Sequence, residues 1–190
     1  MKGIALNALS TAPNLLTLLR ICLMPFLVAE ILERHFQVGL ALFVVAGLSD
    51  ALDGLLARWL KQKTTLGQYL DPVADKLLLS TLFVVLAHLG LIARTITILV
   101  ISRDVGILIV AALLYAAAGV RNFTPGIFGK ASTVAQIAAV AFVLFQQVYV
   151  ADWVAWSRAF ALDATVVLTI LSGLQYAWRA GRRQTPASQA

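Results

Sequence analysis

Six apolar stretches follow one another along this chain, and each is close to the length that crosses a lipid bilayer. They cover residues 14–32, 38–56, 71–89, 95–120, 127–149 and 154–176. A transmembrane helix needs about 20 mostly apolar residues. The pattern therefore predicts an all-α integral membrane protein with six transmembrane helices.

The composition agrees with a membrane protein and argues against two other classes. Charged residues make up only 13% of the chain and hydrophobic residues 61%, whereas soluble domains carry roughly 25% charged residues. Disorder requires low hydrophobicity, so we expect it only in a short polar tail, residues 184–190. Residues 1–183 are assigned to one membrane domain. The amino terminus lacks the continuous apolar core of a cleavable signal peptide.

The excess of basic residues predicts an orientation in the membrane rather than nucleic-acid binding. The net charge is +6, and basic residues concentrate in the cytoplasmic loops of membrane proteins. If the amino terminus is inside, most basic loop residues are cytoplasmic: Lys2, Arg58, Lys61, Lys63, Arg121, Lys130, Arg179, Arg182 and Arg183. Those on the outer side are Arg34, Arg94 and Arg158. We expect both termini in the cytoplasm, and a bacterial inner membrane as the location.

Four aspartates interrupt the apolar pattern where the second span ends and the third begins. They are Asp50, Asp53, Asp71 and Asp75. An aspartate at the centre of a membrane helix costs about 2.5–3.5 kcal/mol, so ionisable residues in such helices indicate function. Asp50 and Asp53 share one helix face, and Asp71 and Asp75 share a face of the next. The alternative for Asp71, which precedes Pro72, is a role at a helix start.

Small residues and one arginine lie on the same two faces. Gly54, Ala57 and Arg58 accompany the first two aspartates, and Gly67 accompanies the last two. Converging carboxylates repel one another unless a cation lies between them, and oxygen ligands without His or Cys favour Mg²⁺ or Mn²⁺. The small residues leave room for a phosphorylated ligand, and Arg58 is a phosphate donor. The set predicts phosphoryl transfer in a polar cavity at the cytoplasmic side.

The spacing of these residues resembles the signature of the CDP-alcohol phosphatidyltransferase family, D-x2-D-G-x2-A-R-x8-G-x3-D-x3-D. All eight positions match over residues 50–75. Asn14, Thr17 and Arg20, followed by Pro25, are similar to the amino-terminal stretch of that family. Gly129 and Lys130, with Thr133 and Gln136, resemble the fifth-span segment of its phosphatidylglycerolphosphate and cardiolipin synthase branch.

The resemblance implies a six-helix membrane enzyme, usually a homodimer, that displaces CMP from CDP-diacylglycerol with the hydroxyl of an acceptor alcohol. It implies a metal pair held by Asp50, Asp53, Asp71 and Asp75. It further implies that Gly54, Ala57 and Arg58 line the cytidine diphosphate site and that Gly67 allows close approach. Asp75 would also be the general base.

The acceptor is predicted from the cations embedded in the other spans. Arg103 and Lys130 are candidates for binding an acceptor phosphate, and Arg20 for binding an acceptor or lipid phosphate. The alternatives are that Arg103 pairs locally with Asp104 and that Lys130 lies at a helix end with its head in water. Ser102-Arg103-Asp104 looks more like the corresponding residues of the cardiolipin synthases, whose acceptor is phosphatidylglycerol. Among bacterial-sized chains of this length, the enzyme that uses glycerol 3-phosphate is the commoner one. We therefore place glycerol 3-phosphate first.

A small ion-coupled transporter is the alternative from another functional class. Its carboxylates would bind a coupling cation near the bilayer midplane, and the chain would be expected to contain an inverted repeat. Here the aspartates lie at one predicted membrane face and no repeat is visible. The sequence therefore favours the enzyme.

Overall fold

Each predicted apolar span corresponds to one helix in the computed structural model, which describes residues 12–59, 65–118 and 127–183. The helices are α1 (Ala12–Leu32), α2 (Phe36–Trp59), α3 (Thr65–His88), α4 (Arg94–Ala118), α5 (Ile127–Val148) and α6 (Asp152–Arg183). Side chains are described for residues 19–49, 76–107 and 127–176, and for Ile109 and Trp178. The described residues are otherwise turns, without strands. The tail predicted to be disordered, residues 184–190, lies outside the described residues.

The helix bounds differ from the predicted spans mainly where polar residues extend a helix. The third helix begins at Thr65 rather than at residue 71, and the sixth continues to Arg183. A count of apolar residues stops at the first polar turn, although the backbone can continue as helix beyond it. Asp71 therefore lies inside α3, so its interpretation as a residue at the helix start is wrong. The fourth helix continues unbroken through Ser102, Arg103 and Asp104, as predicted.

Two of the described helical segments are long and apolar enough to cross a membrane by length and composition. They are Ile127–Val148 and Asp152–Tyr176. Shorter apolar segments occur in Phe36–Ser49 and Lys76–His88.

Short turns join three consecutive pairs of helices at one end of the bundle. Arg34, two residues after the end of α1, is a non-glycine residue with φ 64°, and Gly90, two residues after the end of α3, has φ 73°. Both have the left-handed conformation common after a helix terminus. Such short connections join antiparallel helices. Arg158 of α6 connects the turn after α3 to α5, because it donates to the backbone oxygen of Leu91 and to Oε1 of Gln146 (3.0 Å).

Among the described side chains, an apolar core forms around α3. Leu82, Phe83 and Leu86 of α3 are fully buried. They belong to a cluster with residues of α1, α2, α4, α5 and α6, among them Leu27, Ile31, Phe43, Val100, Val140, Val143, Leu144 and Ala161. The helices that pack on one another are α1 with α2 and α3, α5 with α2, α3 and α6, and α4 with α3 and α6. The end opposite the short turns holds the end of α2 and the start of α3.

Two glycines of α2 offer a matched test of this packing. A Cβ added at Gly39 would lie 2.8 Å from Cγ1 of Ile31, which is fully buried, whereas a Cβ at Gly47 would meet nothing within 4 Å. We expect Gly39→Ala to destabilise the protein by about 1–3 kcal/mol, because overpacking displaces core side chains. Gly47→Ala should be neutral or stabilise it by up to about 1 kcal/mol, since alanine favours a helix. The measurement is the midpoint of thermal unfolding in detergent, and equal midpoints for both variants would contradict this packing.

Candidate functional site

The eight signature residues lie in two consecutive helices. Asp50, Asp53, Gly54, Ala57 and Arg58 fall in the last ten residues of α2, and Gly67, Asp71 and Asp75 fall in the first eleven of α3. The helical backbone supports the shared faces inferred from the spacing. The side chains of these residues lie outside the described part of the structure, so their role as metal ligands stays a prediction. Among the described side chains, no group of three or more His, Cys, Asp or Glu could hold a metal.

A charged cluster begins one residue after Asp75. Lys76 Nζ lies 2.6 Å from Oδ1 of Asp104, and Nη1 of Arg103 lies 2.6 Å from the same oxygen. The side chains of Arg103 and Asp104 are only 7% and 8% exposed, and that of Lys76 is 36% exposed. The carboxylate of Asp104 therefore links the helix that carries Asp75 to the buried guanidinium on α4.

The same guanidinium reaches across to the fifth and sixth helices. Its Nη2 donates a hydrogen bond to Oγ of Ser172 on α6. A Cβ at Gly129 of α5 would lie 3.3 Å from Nη2 and 3.7 Å from that Oγ, so glycine lets the α5 backbone approach closely. Nε of Arg103 is buried and has no hydrogen-bond partner among the described residues. Arg103 thus pairs with Asp104, as the local alternative predicted, and it also has a second contact that the sequence did not suggest.

Hydroxyl groups continue the contact between α5 and α6 towards the turn end. Ser132 Oγ and Thr169 Oγ1 are 3.2 Å apart, both residues are buried, and Gln136 Nε2 lies 3.4 Å from Oγ of Ser132. Thr169 and Ser172 were not predicted from the sequence. The signal was present, since Thr165, Thr169 and Ser172 repeat at helical spacing along one face of an apolar helix.

The other two predicted cations lie in different surroundings. Arg20 of α1 is 2% exposed, and it borders a cavity of about 70 Å³ together with Thr133, Gly47 and apolar residues of α2, α3 and α5. Lys130 is exposed, although its neighbour Gly129 is buried. The structure therefore brings Arg103 together with Gly129, and it does not bring Arg103 together with Lys130 in any described contact.

Comparison with known proteins agrees with the resemblance. The profile of the family "CDP-alcohol phosphatidyltransferase" matches residues 10–171. A Bacillus subtilis protein named CDP-diacylglycerol–glycerol-3-phosphate 3-phosphatidyltransferase is 33% identical over 181 residues, 86% of this chain and 92% of that protein. A protein of the same name from Pseudomonas fluorescens is 35% identical over 173 residues, 86% of this chain and 87% of that protein.

A higher identity over a shorter region connects the chain to animal enzymes. The rat protein named cardiolipin synthase (CMP-forming) is 49% identical over 106 residues, 55% of this chain and 34% of that protein. The chain thus matches about a third of the length of these animal relatives, and nearly the whole length of the two bacterial ones. Since the family profile covers most of the sequence and two relatives align along almost all of their length, this chain belongs to the CDP-alcohol phosphatidyltransferase family of membrane-embedded transferases.

Proposed function

We propose that the protein is a phosphatidylglycerolphosphate synthase, which transfers a phosphatidyl group from CDP-diacylglycerol to glycerol 3-phosphate and releases CMP. The similarity to two bacterial glycerol-3-phosphate phosphatidyltransferases over nearly their whole length carries this proposal. The complete eight-position signature in α2 and α3 supports the reaction class.

Asp50, Asp53, Asp71 and Asp75 would hold the divalent metal, Mg²⁺ or Mn²⁺, as a pair of ions. Their donor set fits these ions, because it consists of carboxylate oxygens only and Mg²⁺ and Mn²⁺ prefer oxygen ligands. Four like charges that converge from two consecutive helices would also need a counter-charge. When bound, the ions would neutralise the charge that develops on the departing CMP.

The remaining signature residues would bind the cytidine diphosphate group. Gly54, Ala57 and Gly67 keep side-chain bulk away from the two helix faces, so the pyrophosphate can approach the backbone. Arg58 would donate paired N–H groups to a phosphate oxygen. These residues orient the β-phosphorus for attack.

Asp75 would act as the general base. An acceptor hydroxyl is a weak nucleophile at neutral pH, so a carboxylate within hydrogen-bond reach accepts its proton during attack. The new bond joins the acceptor oxygen to the β-phosphorus. The bond from that phosphorus to the bridging oxygen breaks, and CMP leaves with the electron pair. The signature contains no Ser, Cys or His that would form a covalent intermediate.

Arg103 is the best supported candidate for the acceptor phosphate. It is buried and lies on α4 beside Lys76, the residue that follows Asp75. Each Nη nitrogen makes one hydrogen bond, and Nε is the nitrogen of this guanidinium that lacks a partner within the described residues. Arg20 and Lys130 remain proposed contacts to an acceptor or lipid phosphate.

Cardiolipin synthesis, with phosphatidylglycerol as the acceptor, is the second candidate. The 49% identity to a rat cardiolipin synthase over 106 residues favours it, as does the order Ser102-Arg103-Asp104. Both acceptors offer a hydroxyl and a phosphate, so the same site chemistry serves either one.

The setting we propose is a homodimer in a bacterial inner membrane, with six spans and both termini in the cytoplasm. The two described segments long enough to cross a bilayer and the excess of basic residues in loops predicted to be cytoplasmic support this topology. It places the signature residues in a polar cavity at the cytoplasmic side.

The acceptor is tested by giving the purified protein CDP-diacylglycerol and Mg²⁺ with either glycerol 3-phosphate or phosphatidylglycerol. We expect CMP release that depends on glycerol 3-phosphate, with phosphatidylglycerolphosphate as the lipid product identified by mass spectrometry. Cardiolipin formed from phosphatidylglycerol would instead establish the second candidate. If neither acceptor gives CMP, both assignments are rejected.

Asp75→Asn separates the role of general base from that of metal ligand. We expect turnover to fall by at least about 100-fold, since general bases contribute roughly 10²–10⁴-fold, while binding of CDP-diacylglycerol is largely retained. Equilibrium binding of the labelled lipid is measured beside the rate. A loss of binding as large as the loss of rate would show that Asp75 acts only as a ligand.

Metal removal tests the carboxylate site directly. Dialysis against EDTA should abolish CMP release, because the four aspartates would then repel one another and the leaving group would lose its counter-charge. Mg²⁺ or Mn²⁺ should restore the activity. Full activity in the presence of EDTA would contradict the metal site.

A further inference from the structure

Two groups outside the signature hold the buried guanidinium on α4. Asp104 Oδ1 accepts a hydrogen bond from Nη1 of Arg103 at 2.6 Å, and Ser172 Oγ accepts one from Nη2. The first group lies on the same helix as the arginine, and the second lies 69 residues away, on α6. With one bond on each amino group, the plane of the guanidinium is held from two sides.

These two bonds engage both Nη nitrogens of the guanidinium and leave its third nitrogen, Nε, without one. The Arg103 side chain is 7% exposed, and its Nε has no hydrogen-bond partner within the described part of the chain. A buried donor without a partner is costly, and more so when it belongs to a charged group. An anionic group that accepts from Nε would satisfy it, and a phosphoryl oxygen has the charge and the geometry to do so.

The surroundings of the guanidinium also limit where it can move. A Cβ added at Gly129 would lie 3.3 Å from Nη2, so the backbone of α5 lies close to the guanidinium on that side. Lys76 shares Oδ1 of Asp104 at 2.6 Å. Its positive charge repels the guanidinium and opposes movement of Arg103 towards α3.

We propose that Asp104 and Ser172 are positioning residues, which hold the Arg103 guanidinium in the orientation that binds the phosphoryl group of the acceptor. The inference rests on the proposed function, since it requires a phosphate-bearing acceptor. It goes beyond that function by assigning roles to a serine on α6 and a carboxylate on α4 that lie outside the signature.

A neighbouring pair on the same two helices supplies a matched control. Ser132 and Thr169 bind each other at 3.2 Å, three residues along α5 from Gly129 and three residues along α6 from Ser172. Thr169 and Ser172 are both about 0–1% exposed. Loss of either hydroxyl therefore removes one buried hydrogen bond between α6 and its neighbours, but only the loss at Ser172 affects the guanidinium.

The experiment compares Ser172→Ala with Thr169→Val in steady-state kinetics. In Ser172→Ala we expect the KM for the acceptor that the wild type uses to rise about tenfold, the size expected for one hydrogen bond to a charged group. The KM for CDP-diacylglycerol should stay within about twofold. Thr169→Val should leave both values near those of the wild type, although the thermal midpoints of the two variants fall by similar amounts. An acceptor KM that is equal in the two variants would overturn the proposal.

Asp104→Asn and Asp104→Glu test the second support. The asparagine variant leaves Lys76 and Arg103 together without a counter-charge, so the acceptor KM should rise at least about tenfold, and the glutamate variant should recover part of the loss. A lower thermal midpoint with an unchanged acceptor KM in the folded fraction would assign Asp104 to stability alone and overturn its role here. Absence of turnover by the wild type with either acceptor rejects the proposed function, and this inference with it.

Discussion

A charge buried in an apolar helix bundle needs opposite charge or hydrogen-bond partners around it, and the described contacts show how α4 meets this requirement. Arg103 and Asp104 are both more than nine-tenths buried. Removing one partner of such a pair costs about 3–5 kcal/mol, because the other charge is left uncompensated. Asp104 accepts a hydrogen bond from Lys76 of α3, and Arg103 donates one to Ser172 of α6. The pair therefore connects three helices halfway along the bundle.

The two ends of the bundle contain different kinds of residue. Towards the end with the short turns, the described apolar side chains pack closely, as at Ile31 and Gly39. The other end contains the close of α2 and the opening of α3, where the signature interrupts the apolar pattern with carboxylates. Between them lie the charged cluster and the hydroxyls of α5 and α6, which pair by hydrogen bonds instead of by exclusion of water. In a membrane such bonds matter because lipid is as apolar as leucine.

The sequence predicted the helices and the family well, because each depends on local information. An apolar run of span length indicates a helix wherever it occurs, and eight residue types at set spacing identify the family. The bounds were less accurate at Thr65 and Arg183, where helices continue through polar residues. The contact between Arg103 and Ser172 could not be predicted, since it joins residues 69 positions apart and depends on how α4 and α6 pack. A serine in an apolar helix is equally compatible with a hydroxyl bonded to its own backbone.

The order of the two charged residues on α4 follows from the positions of its neighbours. Successive residues point about 100° apart on a helix, so Asp104 meets Lys76 on one flank while Arg103 meets Ser172 on the other. Exchanging the two would keep the composition, the net charge and the helical propensity almost unchanged. It would nevertheless turn the guanidinium towards an ammonium group and the carboxylate towards a neutral hydroxyl. The contacts at this point of the chain therefore depend on which side of α4 carries the carboxylate as much as on the presence of a carboxylate.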